Sequence, residues 1–442
     1  MVGHESMRVR HTIPWCSALH MAAALSTDAS AAAPWVLLHS SLQTSYSGRY
    51  SYLAWEPRQC LQSSDFNTLR AQLSSGRDTF ENAWWGYLGY GLRHALERLP
   101  AEDASACPTG ELPHLWMMRA SHLLVWDHAL KIVTFYSDAV ETCPLTPEPL
   151  LPELQDIEVR ELSSNMTKAE YLQHIEDTLA QIAAGEFYQA NITRKFYGRL
   201  RARCDSFALF VGLCAISPSP YGAYIWTGEH AIVSSSPERF ITMDHAGHVM
   251  CRPIKGSAAR GSTDEEDHRM RAQLRRNAKD RAENLMIVDL MRHDLARHCQ
   301  PGSVQVPELC ALDSYATVHH LSSSITAVRR EGASTLDVVC GCFPPGSMTG
   351  APKIRAMQWC TQVERSARGV YSGALGWFGG DGTCDLSVVI RTLVLRDTHF
   401  EFQVGGGIVA ESQPVQEWEE TLTKARALCQ VLGIPHNRLA GI

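Results

Sequence analysis

No run of 18 or more apolar residues occurs in the sequence, which excludes a transmembrane helix on length alone. Positive charge is not in excess either: 40 Lys and Arg against 47 Asp and Glu leave a net charge of −7, with the basic residues dispersed, which argues against nucleic acid as a partner. No Cys-x-x-Cys spacing exists among the 14 cysteines, and Cys340-Gly341-Cys342 is their tightest pair. That excludes a zinc finger or a disulfide framework as the expected organisation and fits a reducing cytoplasm. Neither a Gly-x-Gly-x-x-Gly fingerprint nor a Gly-Lys-Ser/Thr phosphate loop is present, and Gly405-Gly406-Gly407 by itself reads as a turn.

What is there is ordinary for a globular protein, 45% apolar and 20% charged over 442 residues, enough for two or three cores or one large one. The segment from Met7 to Ala33 superficially resembles a signal peptide, but His20, Ser26, Thr27 and Asp28 interrupt its apolar stretch. A short amphipathic helix leading into a strand at Trp35-Val36-Leu37-Leu38 is expected there, with a loose tail before about Met7. Four prolines within Cys143 to Pro152 mark a linker, placed at 143–160 between an amino-terminal region (8–142) and a second region (161–442). Before it, strand-like runs include Leu123-Leu124-Val125-Trp126 and Lys131 to Tyr136; after it, helical patterns dominate, broken by strands at Ala231 to Val233, Ser387 to Leu395 and Glu401 to Val404. Strands and helices mixed without βαβ alternation predict an α+β fold.

Lys255, between Ile254 and Gly256 on an expected tight turn, is placed to act as a nucleophile. A neutral amine attacks carbon and an ammonium does not, so the site must desolvate it or put another cation close by. Glu238, on a turn before it, is a candidate proton shuttle facing the lysine, or a structural partner of Arg239 or Arg252. Asp280 and Glu283 share one helix face, as do Glu417 and Glu420 with Lys424 a turn further on; one glutamate from each helix suffices for a hard cation such as Mg²⁺. Arg391 lies in a run so apolar that it reads as a buried strand, where its guanidinium needs a carboxylate from the protein or from a substrate.

Taken in order, these residues resemble the chorismate-utilising enzymes. The matching segments include Gly185 to Asn191, Ser236 to Phe240, Arg252 to Ser257, Asp280 to Met286, His319-His320-Leu321, Gly350 to Lys353, Tyr371-Ser372-Gly373, Arg391, the glycine triplet and Glu417 to Lys424. Lysine at position 255 is similar to the aminodeoxychorismate synthases, whereas anthranilate synthases usually carry alanine there. Gln189 stands where the isochorismate and salicylate synthases have a water-activating lysine. The resemblance implies a sandwich of large, mostly antiparallel sheets flanked by helices. It further implies conversion of chorismate and ammonia to 4-amino-4-deoxychorismate, the precursor of 4-aminobenzoate and folate, with ammonia from a glutamine amidotransferase subunit. It places Glu283 and Glu420 on Mg²⁺ with Asp280 and Glu417 in support, and Arg391, Tyr371 and the Gly405 and Gly407 amides on the enolpyruvyl carboxylate. Lining the substrate it implies Gln189, Gly256, Ser257, His320, Ser347, Thr349 and Gly406, with Lys424 offsetting the acidic cluster. The alternatives are an anthranilate synthase component that happens to carry lysine, and a non-catalytic subunit that docks an amidotransferase. His39, where feedback-regulated anthranilate synthases have glutamate, makes tryptophan inhibition unexpected.

Overall fold

The computed structural model describes all residues except 1–8, 28–32, 45, 74–78, 81, 103–108, 139, 155, 316–317, 436–437 and 440. The expected tail before Met7 therefore lies outside the described residues. A strand at Val9–Ile13 and a helix at Ala18–Thr27 precede the strand Trp35–His39. The fold is α+β: the strands join in one hydrogen-bonded network, antiparallel in every assigned pairing, with helices packed on its outer faces.

Period-2 alternation sorts the strand residues between two environments. Val36, Ile225, Ile232, Leu123 and Val125 point into a core built from strands and loops alone, around Tyr52, Trp85 and Trp377. Their neighbours Leu37, Tyr224, Val233, Leu124 and Trp126 point the other way, into a core covered by helices such as Ser206–Ile216 and Pro414–Val431. At the start of the long strand Leu115–Asp127 the phase is reversed, with Trp116 and Met118 in the strand-only core and Leu115 and Met117 in a third core under the helix Ala278–Ala296. A sheet buried on both faces explains why so many strands read as near-continuous apolar runs.

Segments on either side of 143–160 share these sheets: Trp35–His39 pairs with Tyr221–Trp226, and Trp84–Leu88 pairs with Ala374–Phe378. Beyond residue 161 strands are far more numerous than the helical patterning suggests. Gln189–Leu200 shows why: it buries Asn191, Thr193, Arg194 and Lys195, so its composition carries no apolar alternation.

Candidate active site

Two helix-covered cores meet around a cavity of about 340 Å³. Lys255 reaches it from the strand Ile254–Ala259, not from a tight turn: the register against Val318–Val328 shifts between Ile254 and Ser257, a bulge that turns the side chain inward. Gly256 makes the bulge possible with φ of 86°, and a Cβ there would lie 2.8 Å from the Asp280 carboxyl carbon. The Lys255 ammonium donates to the Ser347 carbonyl at 3.4 Å and lies 3.9 Å from Glu283 Oε2, with 11% of its side chain exposed.

Glu238 sits between the strands Ala231–Ser236 and Arg239–Met243, and the hairpin return of His248–Arg252 carries the chain back past it to Lys255. Arg239, its suggested partner, instead pairs with Asp385 at 3.1 Å, and Arg252 pairs with Glu308 and Asp313. Burial pushes the Glu238 carboxyl up to about 7, although Ser347 and the Lys255 charge pull the other way. It is therefore divided between acid and base at neutrality.

Asn277 caps the helix Ala278–Ala296 by accepting from the Asp280 amide, and Pro414 opens the helix Pro414–Val431. Asp280 and Glu283 from the first and Glu420 and Lys424 from the second border the cavity. Burial raises the Asp280 and Glu283 carboxyls, whereas Lys424, 2.6 Å away, holds Glu420 below the usual range. Lys424 also donates to the Gly405 carbonyl at 2.7 Å.

Arg391 does not lie within a continuous strand. Strands run over Cys384–Val388 and Thr392–Arg396, and Arg391 occupies the bend between them with φ of 52°, in the left-handed region. Apolar patterning cannot register a change of φ. Burial lowers the affinity of its guanidinium for the proton, Tyr371 and Glu420 act oppositely, and among the described residues no carboxylate pairs with it. The glycine triplet is likewise not a turn: it ends the strand His399–Ile408, with Gly405 opposite Thr193 and Gly407 opposite Asn191. A Cβ on Gly405 would meet the Ile192 carbonyl at 2.5 Å, and one on Gly407 would meet Gln189 Nε2 at 2.5 Å and Lys255 Nζ at 3.2 Å. Close approach, not backbone turning, requires these glycines.

Gly256, Ser257, His320, Ser347, Tyr371, Gly405 and Gly407 also line the cavity. Ser257 and His320 Nδ1 are 2.7 Å apart, and burial lowers His320 to about 4, leaving it neutral at pH 7. Four expected residues are not on the wall. Gln189 is fully buried, its amide on the same side of Gly407 as Lys255; Thr349 turns its hydroxyl back to the Pro345 and Gly346 carbonyls; Gly406 packs against the Glu417 carboxylate; and Glu417 is taken up by Lys279 at 2.7 Å. Asn191 and Lys279, by contrast, do line it. Lys279 was legible in principle, one turn before Glu283 on the same helix face, and it lies 3.9 Å from that carboxylate.

Volume alone does not single out this cavity. A larger one of about 590 Å³ is lined by His39, Arg49, Tyr50, Tyr221, Arg239 and Trp377, but its guanidiniums are already paired, Arg239 with Asp385 and Arg49 with Asp127, and no lysine borders it among the described residues. The family model for chorismate binding enzymes matches residues 31–430, which include every residue of the smaller cavity. The chain belongs to the chorismate binding enzymes. Among members of this family, it is 37% identical over 392 residues to an aminodeoxychorismate synthase of Streptomyces griseus, covering 84% of this chain but only 52% of that protein. It is 34% identical over 414 residues to anthranilate synthase component 1 of Streptomyces coelicolor, covering 86% of this chain and 80% of that one. Its fold matches the crystal structure of anthranilate synthase component I from Streptococcus pneumoniae with a TM-score of 0.75 at 24% identity, over 87% of this chain and 93% of that one. The sandwich of antiparallel sheets flanked by helices is thus the architecture of this family. No helix among the described residues of this chorismate binding enzyme is long and apolar enough to cross a membrane.

Proposed function

We propose that the chain is the chorismate-aminating component of an aminodeoxychorismate synthase, forming 4-amino-4-deoxychorismate and water from chorismate and ammonia. The observation that carries this reading is Lys255 in the same cavity as Glu238, whose carboxyl burial raises to about 7, with Ser347 in contact with both. Lys255 Nζ bonds to ring C2, the double bonds shift, and the C4–O bond breaks as Glu238 gives its proton to the departing oxygen. Ammonia then bonds at C4, the double bonds shift back, the bond from C2 to Lys255 breaks, and the Glu238 carboxylate takes the proton released. One difficult displacement becomes two easier ones.

Among the described residues no three acidic, His or Cys side chains are gathered closely enough to hold a metal, so the magnesium ion that the family resemblance implies would take one carboxylate from each helix and complete its shell with water and substrate. Asp280, Glu283 and Glu420 present oxygen ligands only, burial raises two of these carboxyls, and the lysine nearest Glu283 and Glu417 already responds to the same negative potential. Glu283 and Glu420 would hold the ion, which when bound draws charge onto the ring carboxylate and offsets the carboxylate beside Lys255. Arg391, with Tyr371 beside it, is the seat for the enolpyruvyl carboxylate. Arg391→Lys, which loses the bidentate fork, is expected to raise the KM for chorismate by about 10- to 100-fold with a smaller change in kcat, read from initial rates.

Gly-x-Cys-x-Gly, the nucleophile turn of glutamine amidotransferases, does not occur in the sequence. In this reading ammonia is released by a glutamine amidotransferase that is not among these residues, and free ammonium substitutes for it. The extent of the likeness to anthranilate synthase component 1 supports a second reading, amination at C2 with loss of pyruvate. Incubation with chorismate, ammonium and Mg²⁺ separates them. The proposed reaction releases neither anthranilate nor pyruvate, and its product yields 4-aminobenzoate when a suitable lyase is added; direct release of anthranilate and pyruvate would overturn it.

A further inference from the structure

Arg368 lies outside the cavity and no role falls to it in the chemistry above, yet its guanidinium reaches three of the segments that form the cavity. It is 1% exposed and lies in the connection between the helix Lys353–Glu364 and the strand Ala374–Phe378. Nε and Nη2 donate to the two Glu364 carboxylate oxygens at 2.9 and 2.6 Å. Nη1 donates to the Met348 carbonyl at 2.7 Å and to the Ser372 hydroxyl at 3.2 Å, and Nη2 donates to the Asn191 carbonyl at 2.8 Å. The Tyr90 ring closes one face of the group at 4.5 Å, and Glu364 Oε1 accepts from the Thr193 amide at 3.0 Å.

All five N–H donors of the side chain are thus used, in the fixed fork that only arginine has. Asn191 and Met348 are themselves cavity residues, and Ser372 follows Tyr371. Ser347, immediately before Met348, accepts from Lys255 and lies beside Glu238. Ser372 adopts φ of 67°, a left-handed conformation that a serine keeps only when its surroundings hold it there. The three acceptors are therefore the backs of the walls that present the nucleophile, the proton shuttle and the residue beside Arg391.

We propose that Arg368 is a positioning residue: it sets the register between the Tyr371 turn, the Ser347–Met348 loop and the Asn191 strand, so that substrate held at the Arg391 end meets Lys255 in line. The inference rests on the reading of this cavity as the site of chorismate turnover. Misplacing the reacting groups by about 1 Å costs about 100-fold in rate while leaving contacts at either end largely intact.

Removing the arginine alone strands the buried Glu364 carboxylate, so the informative variant is the double Arg368→Gln, Glu364→Gln, which removes both charges at nearly constant volume. In that variant a cooperative melting transition above the assay temperature is expected, with a KM for chorismate within about threefold of wild type and kcat lower by about 100-fold. Arg368→Lys, with three donors for five acceptors, is expected to fall between the two. Guanidinium chloride at millimolar concentration is expected to restore part of kcat to Arg368→Ala where potassium chloride does not. A folded double variant with wild-type kcat would overturn the assignment, as would a loss of kcat no larger than the loss of folded protein. Turnover is compared between variants whichever product the wild type releases, so anthranilate formation would count against the proposed function and leave the Arg368 test intact.

Discussion

Lys255→Ala is expected to lower kcat for chorismate amination by about 10³-fold or more while the protein stays folded. The side chain contributes little packing that alanine cannot replace, and Glu283 keeps Lys279 at 3.9 Å as a counter-charge. An electrostatic role for the ammonium would also lose activity on truncation. Lys255→Arg distinguishes the two: it retains positive charge but remains protonated at any assay pH, so it should be as inactive as alanine if the amine attacks carbon and partly active if only charge matters. Chorismate binding, followed by equilibrium titration, should change far less than kcat in both variants.

Glu238→Gln is expected to lose about 10²- to 10⁴-fold in kcat, the range for removal of a positioned acid or base. The wild-type profile should fall on the alkaline side with a midpoint near 7 in kcat/KM, because the first step needs the protonated form that burial maintains. The same substitution should stabilise the protein at high pH. The carboxyl is raised from 4.5 to about 7 in the folded state, so its contribution to stability is fully present below 4.5 and is lost as pH rises through 7. By linkage this amounts to about 3 kcal/mol at most. Glutamine carries no such penalty, so urea midpoints at pH 8 should be higher for the variant than for wild type, and the difference should vanish near pH 4.5. A gain in stability joined to a loss of activity is what a residue retained for chemistry produces.

The charged residues that border the cavity were more legible in the sequence than the folding that brings them together. Paired acids at i, i+3 marked both acidic helices, because a shared helix face is a local property. The bulge at Lys255, the bend at Arg391 and the strand through Gly405 to Gly407 depend on what packs against them: the Asp280 carboxyl, the neighbouring strands and the Ile192 carbonyl. Tertiary contacts of that kind leave no periodic trace. Gln189 and Glu417 show the same limit on the functional side: the resemblance implied them for the site, but the burial of Gln189 beside Gly407 and the pairing of Glu417 with Lys279 are tertiary contacts. Arg368 carried only the i, i+4 spacing from Glu364 as a local signal, and its reach to Asn191 and Met348 was hidden because those acceptors are backbone carbonyls distant in sequence.

The most direct test is an intact-protein mass spectrum of enzyme quenched in acid during turnover of chorismate, followed by peptide mapping. A ring-derived adduct carried by the peptide containing Lys255, present during turnover and absent from Lys255→Ala, is the predicted result. Wild-type enzyme that turns over chorismate at full rate with Lys255 unmodified at every quench time, and an alanine variant that aminates as fast, would contradict it.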